Sequence, residues 1–427
     1  MRIHLKTLGC RLNEAETESW ANDFNLLGHS IINDSQTADI VVLNTCAVTQ
    51  GAVRKSRQLI RKTQQQNPTA KLVVSGCYAT LNEKETVDTS GIDLLVNNQQ
   101  KDELVKRTLQ HLHIESMPAI STEPGEVALF TRGRQRAFIK VQDGCRYRCT
   151  FCIVTIARGD EKSKKIKKII DEVNAVHDSG IQEVVITGVH LGGYGSDINS
   201  DLYQLIKALL DNTEIPRIRM GSLEPWDLPD NFFTLFYNPR LMPHMHLPIQ
   251  SGSNSVLRRM ARRCKTEEFR QLVTTAREQV QHLNITTDII VGFPGETEDE
   301  WRQTLAFVEE MEFGGLHIFS YSKREGTKAA GLTQQVDDKI KKSRSQQLHQ
   351  LAEKIKKDNL QNMLDQSVPV LWEEGQTIQA QEKIYYGYTP HYHRVKTVVS
   401  SDIELANKVI NSRLSSIEDG VLLSQFL

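Results

Sequence analysis

The chain has 427 residues, with 52 lysines and arginines against 53 aspartates and glutamates, for a formal net charge of -1. That length exceeds one ordinary domain and suggests two or three. The near-zero charge excludes a global basic field for nucleic acid, so any RNA contact has to come from local basic patches. No stretch approaches the roughly 18 continuous apolar residues of a transmembrane helix. The opening MRIHLKTLGC reads as a strand rather than a signal peptide. The expectation is a cytoplasmic enzyme with no membrane attachment, whose seven cysteines are thiols, thiolates or metal ligands rather than disulfides.

The fold class expected is α/β, in three domains. Residues 1–118 alternate short β-forming runs with amphipathic segments, which predicts a parallel sheet. HLKTL leads to Cys10, ADIVVLNT to Cys46 and AKLVVSG to Cys77. Open parallel sheets bind ligands at the carboxyl ends of their strands. The three cysteines should therefore lie along one sheet edge, although three small buried hydrophobes would show the same spacing. Asn13 suits an N-cap for the following helix. Residues 116–135, with Pro118, Pro124 and Gly125, read as a linker. Residues 130–360 carry six strand-like runs (AFIKVQDG, EVVITG, RIRMGS, MHLPI, TTDIIVG and LHIFSYS) separated by helical stretches. Six strand–helix units make an open partial (β/α)6 barrel rather than a closed eight-stranded one. Residues 366–427 change to short alternating runs, which predict a small antiparallel β-barrel.

The first barrel strand runs into Cys145-Arg-Tyr-Arg-Cys149-Thr-Phe-Cys152. Three thiolates at this spacing can hold three irons of a cubane and leave the fourth open. A structural zinc site is the competing reading, but zinc takes four closed ligands and no fourth cysteine or histidine lies nearby in sequence. Three buried thiols suit poorly a loop otherwise made of Arg146, Tyr147, Arg148 and Thr150. The later strands end in polar residues and glycines: Gly188 and His190, Ser222 and Glu224, His246 and Gln250, Gly292, and Tyr321. Glycine there lets a cofactor approach the backbone. Each of these residues also reads as an ordinary strand-end turn or cap. Cys264 stands apart from both cysteine sets and reads as a spare thiol.

The C-x3-C-x2-C loop with Phe151 before its last cysteine resembles the radical S-adenosylmethionine (SAM) signature. TLGCRLNEAETE, NTCAVT with RKSRQLIR, VVSGCYA and the late GYTPHYHRVKTVV segment resemble the methylthiotransferase family of that superfamily, in order and over nearly the whole chain. The resemblance implies two 4Fe-4S clusters, one on Cys145, Cys149 and Cys152 and an auxiliary one on Cys10, Cys46 and Cys77. It implies SAM as both methyl donor and radical source. Phe151, Gly188, Ser222, Glu224 and Gln250 are the candidates to hold SAM. The C-terminal barrel resembles the family's TRAM domain, which carries RNA.

VHLGGYG and YSKREGTKAA place the resemblance nearest the branch that converts N6-threonylcarbamoyladenosine at position 37 of tRNA to its 2-methylthio form. Other branches act on isopentenyladenosine in tRNA or on a ribosomal-protein aspartate. The partners implied are a tRNA anticodon loop, an external electron donor and a sulfur source. Arg54, Arg57, Arg132, Arg134, Tyr392 and Arg394 are the candidate RNA contacts, with Lys55, Arg136, Tyr388, His391 and His393 alongside them. The four arginines at 258, 259, 262 and 263 could bind phosphate or pair with nearby acids. One departure stands out: where relatives are arginine-rich after the loop, this chain has Lys162 and Lys164, which keep the charge and lose the bidentate fork.

Overall fold

In the computed structural model, which describes residues 1–87, 91–114, 135–229, 231–379 and 381–426, the apolar runs at the start of the chain form a five-stranded parallel sheet of order β2-β1-β3-β4-β5. Its elements are β1 (Arg2–Thr7), α1 (Arg11–Leu26), β2 (Ser30–Ile31), β3 (Ile40–Thr45), α2 (Gln50–Gln66), β4 (Lys71–Gly76), α3 (Cys77–Leu81), α4 (Glu83–Val87), β5 (Leu94–Val96) and α5 (Leu104–His111). β3, IVVLNT, is buried at every position, as a central parallel strand covered on both faces must be. Ile40 and Val42 pack with Trp20 and Phe24 of α1, while Val41 and Leu43 pack with Ile60 of α2 and with Tyr78. Thr49 caps α2 by accepting the Ala52 N–H. Most of the expected linker lies outside the described residues.

The chain continues through β6 (Arg136–Lys140), β7 (Gln142–Asp143), the cysteine loop, α6 (Val154–Arg158) and β8 (Lys162–Ser163). Two compact units result. One comprises residues 1–132, 142–162 and 322–330, so it holds the sheet, the cysteine loop and a short late segment; the other comprises the remaining residues.

The second unit contains α7 (Ile166–Asp178), β9 (Glu183–Thr187), α8 (Leu202–Asn212), β10 (Arg217–Met220), β11 (His244–His246), α9 (Asn254–Arg259), α10 (Thr266–Gln279), β12 (Asn284–Val291), α11 (Glu298–Met311) and β13 (Gly315–Ser320). β6, β9 and β10 form one parallel sheet and β11, β12 and β13 another. A parallel bridge between Ser222 and His246 links them. The six strands thus follow chain order, as in the expected partial barrel. Helix α11 opens with a reciprocal cap between Thr297 and Glu300.

After α12 (Asp338–Gln361) come β14 (Ser367–Trp372), β15 (Gln376–Gln379), β16 (Glu382–Tyr388), β17 (Arg394–Ser400), β18 (Val409–Glu418) and β19 (Val421–Phe426). Their order is β14-β18-β19-β17-β16-β15, and an additional β14–β16 pairing closes the sheet on itself around Trp372, Tyr385, Val395 and Leu414. One pairing differs from expectation: β17 and β19 run parallel, because β18 intervenes between them in the chain and pairs antiparallel with β19.

This closed sheet meets the strand-start end of the partial barrel through a row of charges. Glu183 opens β9 and is in register with Arg217 on one side and Arg136 on the other. Arg217 and Arg219 pair with the buried Glu183 carboxylate at 2.9 and 3.0 Å. The same guanidiniums donate to the carbonyls of Thr389 and Pro390 at 3.1 and 3.0 Å. Arg136 pairs with Glu373 at 2.7 Å and lies over the Tyr388 ring.

Candidate functional site

Cys10, Cys46 and Cys77 each follow a strand of the first sheet directly or by a few residues: β1, β3 and β4, three neighbours. Gly9 has φ +109°, and a Cβ there would lie 2.6 Å from Cys46 Sγ, so glycine is what lets the two cysteine loops meet. Gly76, before Cys77, has φ +103°, and a Cβ would lie 2.2 Å from the Thr45 carbonyl oxygen. Gly76→Ala is expected to cost about 2–4 kcal/mol through strain and overpacking. A thermal midpoint equal to the parent's would contradict this close approach.

Cys46 and Cys77 are buried, and Cys10 opens to solvent on one side. Each of the other two thiols bears electrostatically on Cys46, and Cys77 on Cys10. Burial pushes the Cys46 thiol up to about 11, with Cys10 and Cys77 adding to the effect and the Val48 N–H and Arg158 opposing it. Cys10 itself is the N-cap of α1. Asn13, expected to cap that helix, instead sits inside it and donates to the carbonyls of Leu8 (2.8 Å) and Thr45 (3.2 Å).

Behind these thiols lies an ionic network that sequence reading did not foresee. Arg158, at the end of α6, is buried and pairs with Glu16 at 2.8 Å and Asp143 at 2.9 Å, and donates to Asn13 Oδ1 at 2.8 Å. Glu16 also receives Lys101 at 2.5 Å. Burial lowers the Lys101 pKa against the pull of Glu16. The motif that could have signalled it is the run of acids in RLNEAETE: Glu16 falls on the apolar face of α1 with Leu12 and Trp20, and a buried carboxylate requires a partner.

The Cys145–Cys152 loop is shaped by its own backbone. Cys152 N–H donates to the Cys149 carbonyl and Cys145 N–H to the Gly159 carbonyl, both at 3.1 Å. Arg148 donates to the Cys145 carbonyl at 3.0 Å, and Thr155 to that of Tyr147 at 2.9 Å. The three cysteines and Phe151 are half-buried, and none of the seven cysteines forms a disulfide.

Among the described residues, His246, Asp288 and His317 bring three potential metal donors within 4.8 Å of one another.

In the second unit, Glu224 accepts from the Gly192 N–H at 3.3 Å, and burial raises its pKa against the pull of His190. His190 Nε2 meets Asp227 at 2.6 Å. Ser222 is exposed, Gly188 half-exposed, and Gln250 buried with φ +82°. The Gln250 backbone bonds both ways to β12, at Asp288 and Ile290. Asp288 accepts from His246 and His317, both at 3.1 Å. Burial raises the Asp288 pKa, but these imidazoles outweigh it and hold it below the usual carboxylate range. A carboxylate inside the apolar run TTDIIVG was the legible signal for this cluster.

The basic candidates divide. Arg54 is exposed. Arg57 is exposed and pairs with Glu85 at 2.8 Å. Arg394 is exposed and covers the Tyr386 ring. Tyr392 is engaged within the protein: it stacks on Tyr388 at 4.9 Å, lies beneath Arg219 and meets His244. Arg132 and Arg134 lie outside the described residues. Lys164 pairs with Glu172 at 2.9 Å. Of the four central arginines, Arg259 pairs with Glu300, and Arg262 donates to the Pro248 carbonyl.

Residues 139–308 match the Radical SAM superfamily, and residues 2–97 match a family described as uncharacterized protein family UPF0004. Among solved structures, the radical SAM methyltransferase TsrM from Kitasatospora setae, with cobalamin and a four-iron cluster bound, superposes with TM-score 0.57 at 15% identity over 77% of each chain. The cobalamin-dependent radical enzyme OxsB, with SAM bound, gives 0.52 at 13% identity over 83% of this chain and 56% of that one. These likenesses establish the fold. The chain is a member of the radical SAM superfamily, whose members carry a 4Fe-4S cluster and use SAM.

Curated relatives narrow the class. The threonylcarbamoyladenosine tRNA methylthiotransferase MtaB of Bacillus subtilis is 35% identical over 423 residues, 96% of this chain and 93% of the relative. The tRNA-2-methylthio-N(6)-dimethylallyladenosine synthase of Staphylococcus epidermidis is 31% identical over 406 residues, 90% and 77%. The chain belongs to the radical SAM methylthiotransferase family. Among the described residues no helix is long and apolar enough to cross a membrane.

Proposed function

We propose that this protein is a tRNA methylthiotransferase that converts N6-threonylcarbamoyladenosine at position 37 to its 2-methylthio derivative in the cytoplasm. The observation that carries the substrate is the full-length similarity to the B. subtilis enzyme of that name. The domains are read at 1–118, 130–360 and 366–427. Cys145, Cys149 and Cys152 hold the radical cluster. Cys10, Cys46 and Cys77 hold a second, auxiliary one, a reading supported by their convergence at adjacent strand ends.

The hydrogen at carbon 2 of adenine is not acidic, so acid–base residues cannot open that position. The radical cluster with SAM supplies a 5′-deoxyadenosyl radical when loaded. The chain's own part is to place groups. Phe151, Gly188, Ser222, Glu224 and Gln250 bind SAM, and Glu224 is suited to its amino group. Arg54, Arg57 and Arg394, with Arg132, Arg134 and Tyr392, engage the anticodon loop. An external donor supplies electrons and a separate source supplies sulfur.

Nucleoside analysis of tRNA from a strain lacking the gene tests the substrate. The expected result is loss of the 2-methylthio threonylcarbamoyl nucleoside with accumulation of its unthiolated precursor. Retention of the former with loss of the 2-methylthio isopentenyl nucleoside would move the assignment to the branch represented by the S. epidermidis relative.

A further inference from the structure

A second group of metal-ligating side chains lies in the other unit, brought together by strand register. In the parallel pairing of β11 with β12, His246 stands opposite Thr286. In that of β12 with β13, Thr286 stands opposite Gly315 and Asp288 opposite His317. Thr286 and Asp288 are two residues apart and so share one face of β12. That face is the more open one: Thr286, Asp288 and Ile290 are half-buried, whereas Thr287, Ile289 and Val291 are buried. On the next strand His317 and Phe319 are exposed.

The three side chains converge on one atom. His246 Nε2 and His317 Nδ1 each lie 3.1 Å from Asp288 Oδ1. A cation held at ~2.0–2.1 Å by nitrogen and oxygen sets its donors roughly 2.9 Å apart at right angles and roughly 3.3 Å apart at tetrahedral angles. Both 3.1 Å separations fall between those values. The donors are also aimed. His246 Nδ1 is hydrogen-bonded to Thr286 Oγ1 at 2.9 Å, which turns Nε2 toward Asp288. The same hydroxyl meets His244 Nε2 at 3.2 Å, so it is fixed from two sides. Gly315 gives Thr286 room, since a Cβ there would stand 3.3 Å from the threonine methyl. A hydrogen bond on the far ring nitrogen is the usual support of a ligating imidazole.

The donor set selects the ion. Magnesium and calcium take oxygen throughout, whereas two imidazoles and one carboxylate suit zinc and its neighbours. Access is one-sided: the His246 side chain is 11% exposed, Asp288 21% and His317 62%. Three protein ligands leave at least one position to water. Protons on the imidazoles fill the same gaps when no ion is bound, so metal and protons compete for the group.

We propose that His246, Asp288 and His317 form a binding site for a borderline divalent transition-metal cation of the zinc class, with Thr286 as a positioning residue. The site stands independently of the tRNA assignment and of both cysteine triplets.

The test uses the full-length chain reconstituted anaerobically with iron and sulfide, so that the cysteines are occupied before zinc is supplied. Excess zinc is removed by gel filtration, and zinc and iron are counted together. One zinc per chain is expected, and its X-ray absorption should show imidazole and oxygen without a sulfur shell at ~2.3 Å. Thr286→Val is expected to weaken zinc binding about 10–100-fold, and His317→Ala and Asp288→Asn about 100-fold or more. His317 is exposed, so His317→Ala is the variant read if Asp288→Asn disturbs β12. The comparison of parent with His317→Ala reads the site whether or not iron loads. Zinc retained undiminished in His317→Ala, a sulfur shell in the parent, or binding only at millimolar zinc overturns the proposal. A parent that retains no zinc overturns it equally and leaves the three side chains a hydrogen-bonded group.

Discussion

Cys46→Ala is expected to leave reductive cleavage of SAM measurable while abolishing the 2-methylthio product. Cys46 is buried at the end of β3, among thiols on the neighbouring strand ends. Removing one sulfur from a small residue leaves a minor cavity, about 1 kcal/mol, so the sheet survives. What is lost is one of three ligands of the proposed auxiliary cluster, and iron is expected to fall from about eight to about four per chain. Cys149→Ala should give the complementary pattern, with no 5′-deoxyadenosine formed and auxiliary iron retained. Methylthiolated tRNA from Cys46→Ala would refute the auxiliary role. Undiminished 5′-deoxyadenosine from Cys149→Ala would refute the radical role.

Glu183→Gln is expected to be among the most destabilising single changes outside the cysteines. Glu183 is fully buried and is the carboxylate facing Arg217 and Arg219, with Arg136 beside it. Burial alone would raise its pKa. Arg219 and Arg217 reverse that and hold it at about 2. Burial also pushes Arg217 down to about 10 despite its pairing with Glu183, so these cations already crowd one another. Without the carboxylate they would stand buried and uncompensated, a loss of about 3–5 kcal/mol, or on the order of 10 °C in thermal midpoint for a unit of this size.

The pH dependence has a definite sign. A carboxyl whose folded pKa lies below its ordinary 4.5 contributes stability that is complete above that value and lost as pH falls through the folded value of about 2. The difference in midpoint between parent and Glu183→Gln should therefore be full at neutral pH and shrink between pH about 4.5 and about 2. Midpoints that track each other at all pH values would show that the ion pairs do not fasten the barrel.

The parts of this architecture that were legible in sequence are those where one residue type has little other use. Period-two and continuous apolar runs located the sheet and the six barrel strands, and cysteines placed after strands located both triplets. Charge pairing was not legible. Arg136, Glu183 and Arg217 are separated by tens of residues, and strand register alone aligns them. Tyr392, read as an RNA-stacking ring from its basic and aromatic neighbours, also stacks on Tyr388 and lies under Arg219 within the chain, contacts the sequence did not announce. The same composition serves an internal cation–π seam and a nucleic-acid surface equally well. Arg158 was hidden for the same reason: its partners Glu16 and Asn13 lie 142 and 145 residues away along the chain.

Because the unit that holds both cysteine triplets takes its last piece from residues 322–330, it cannot be completed while the chain is growing through the barrel. At about 5–20 residues per second of synthesis, the wait from the cysteine loop to that piece is roughly 10 to 30 s. During that interval all six thiols exist without the segment that completes their unit. The proposed clusters would then load iron late, after translation has passed Ala330, and premature release before that point would yield a chain with all six cysteines and an unfinished unit.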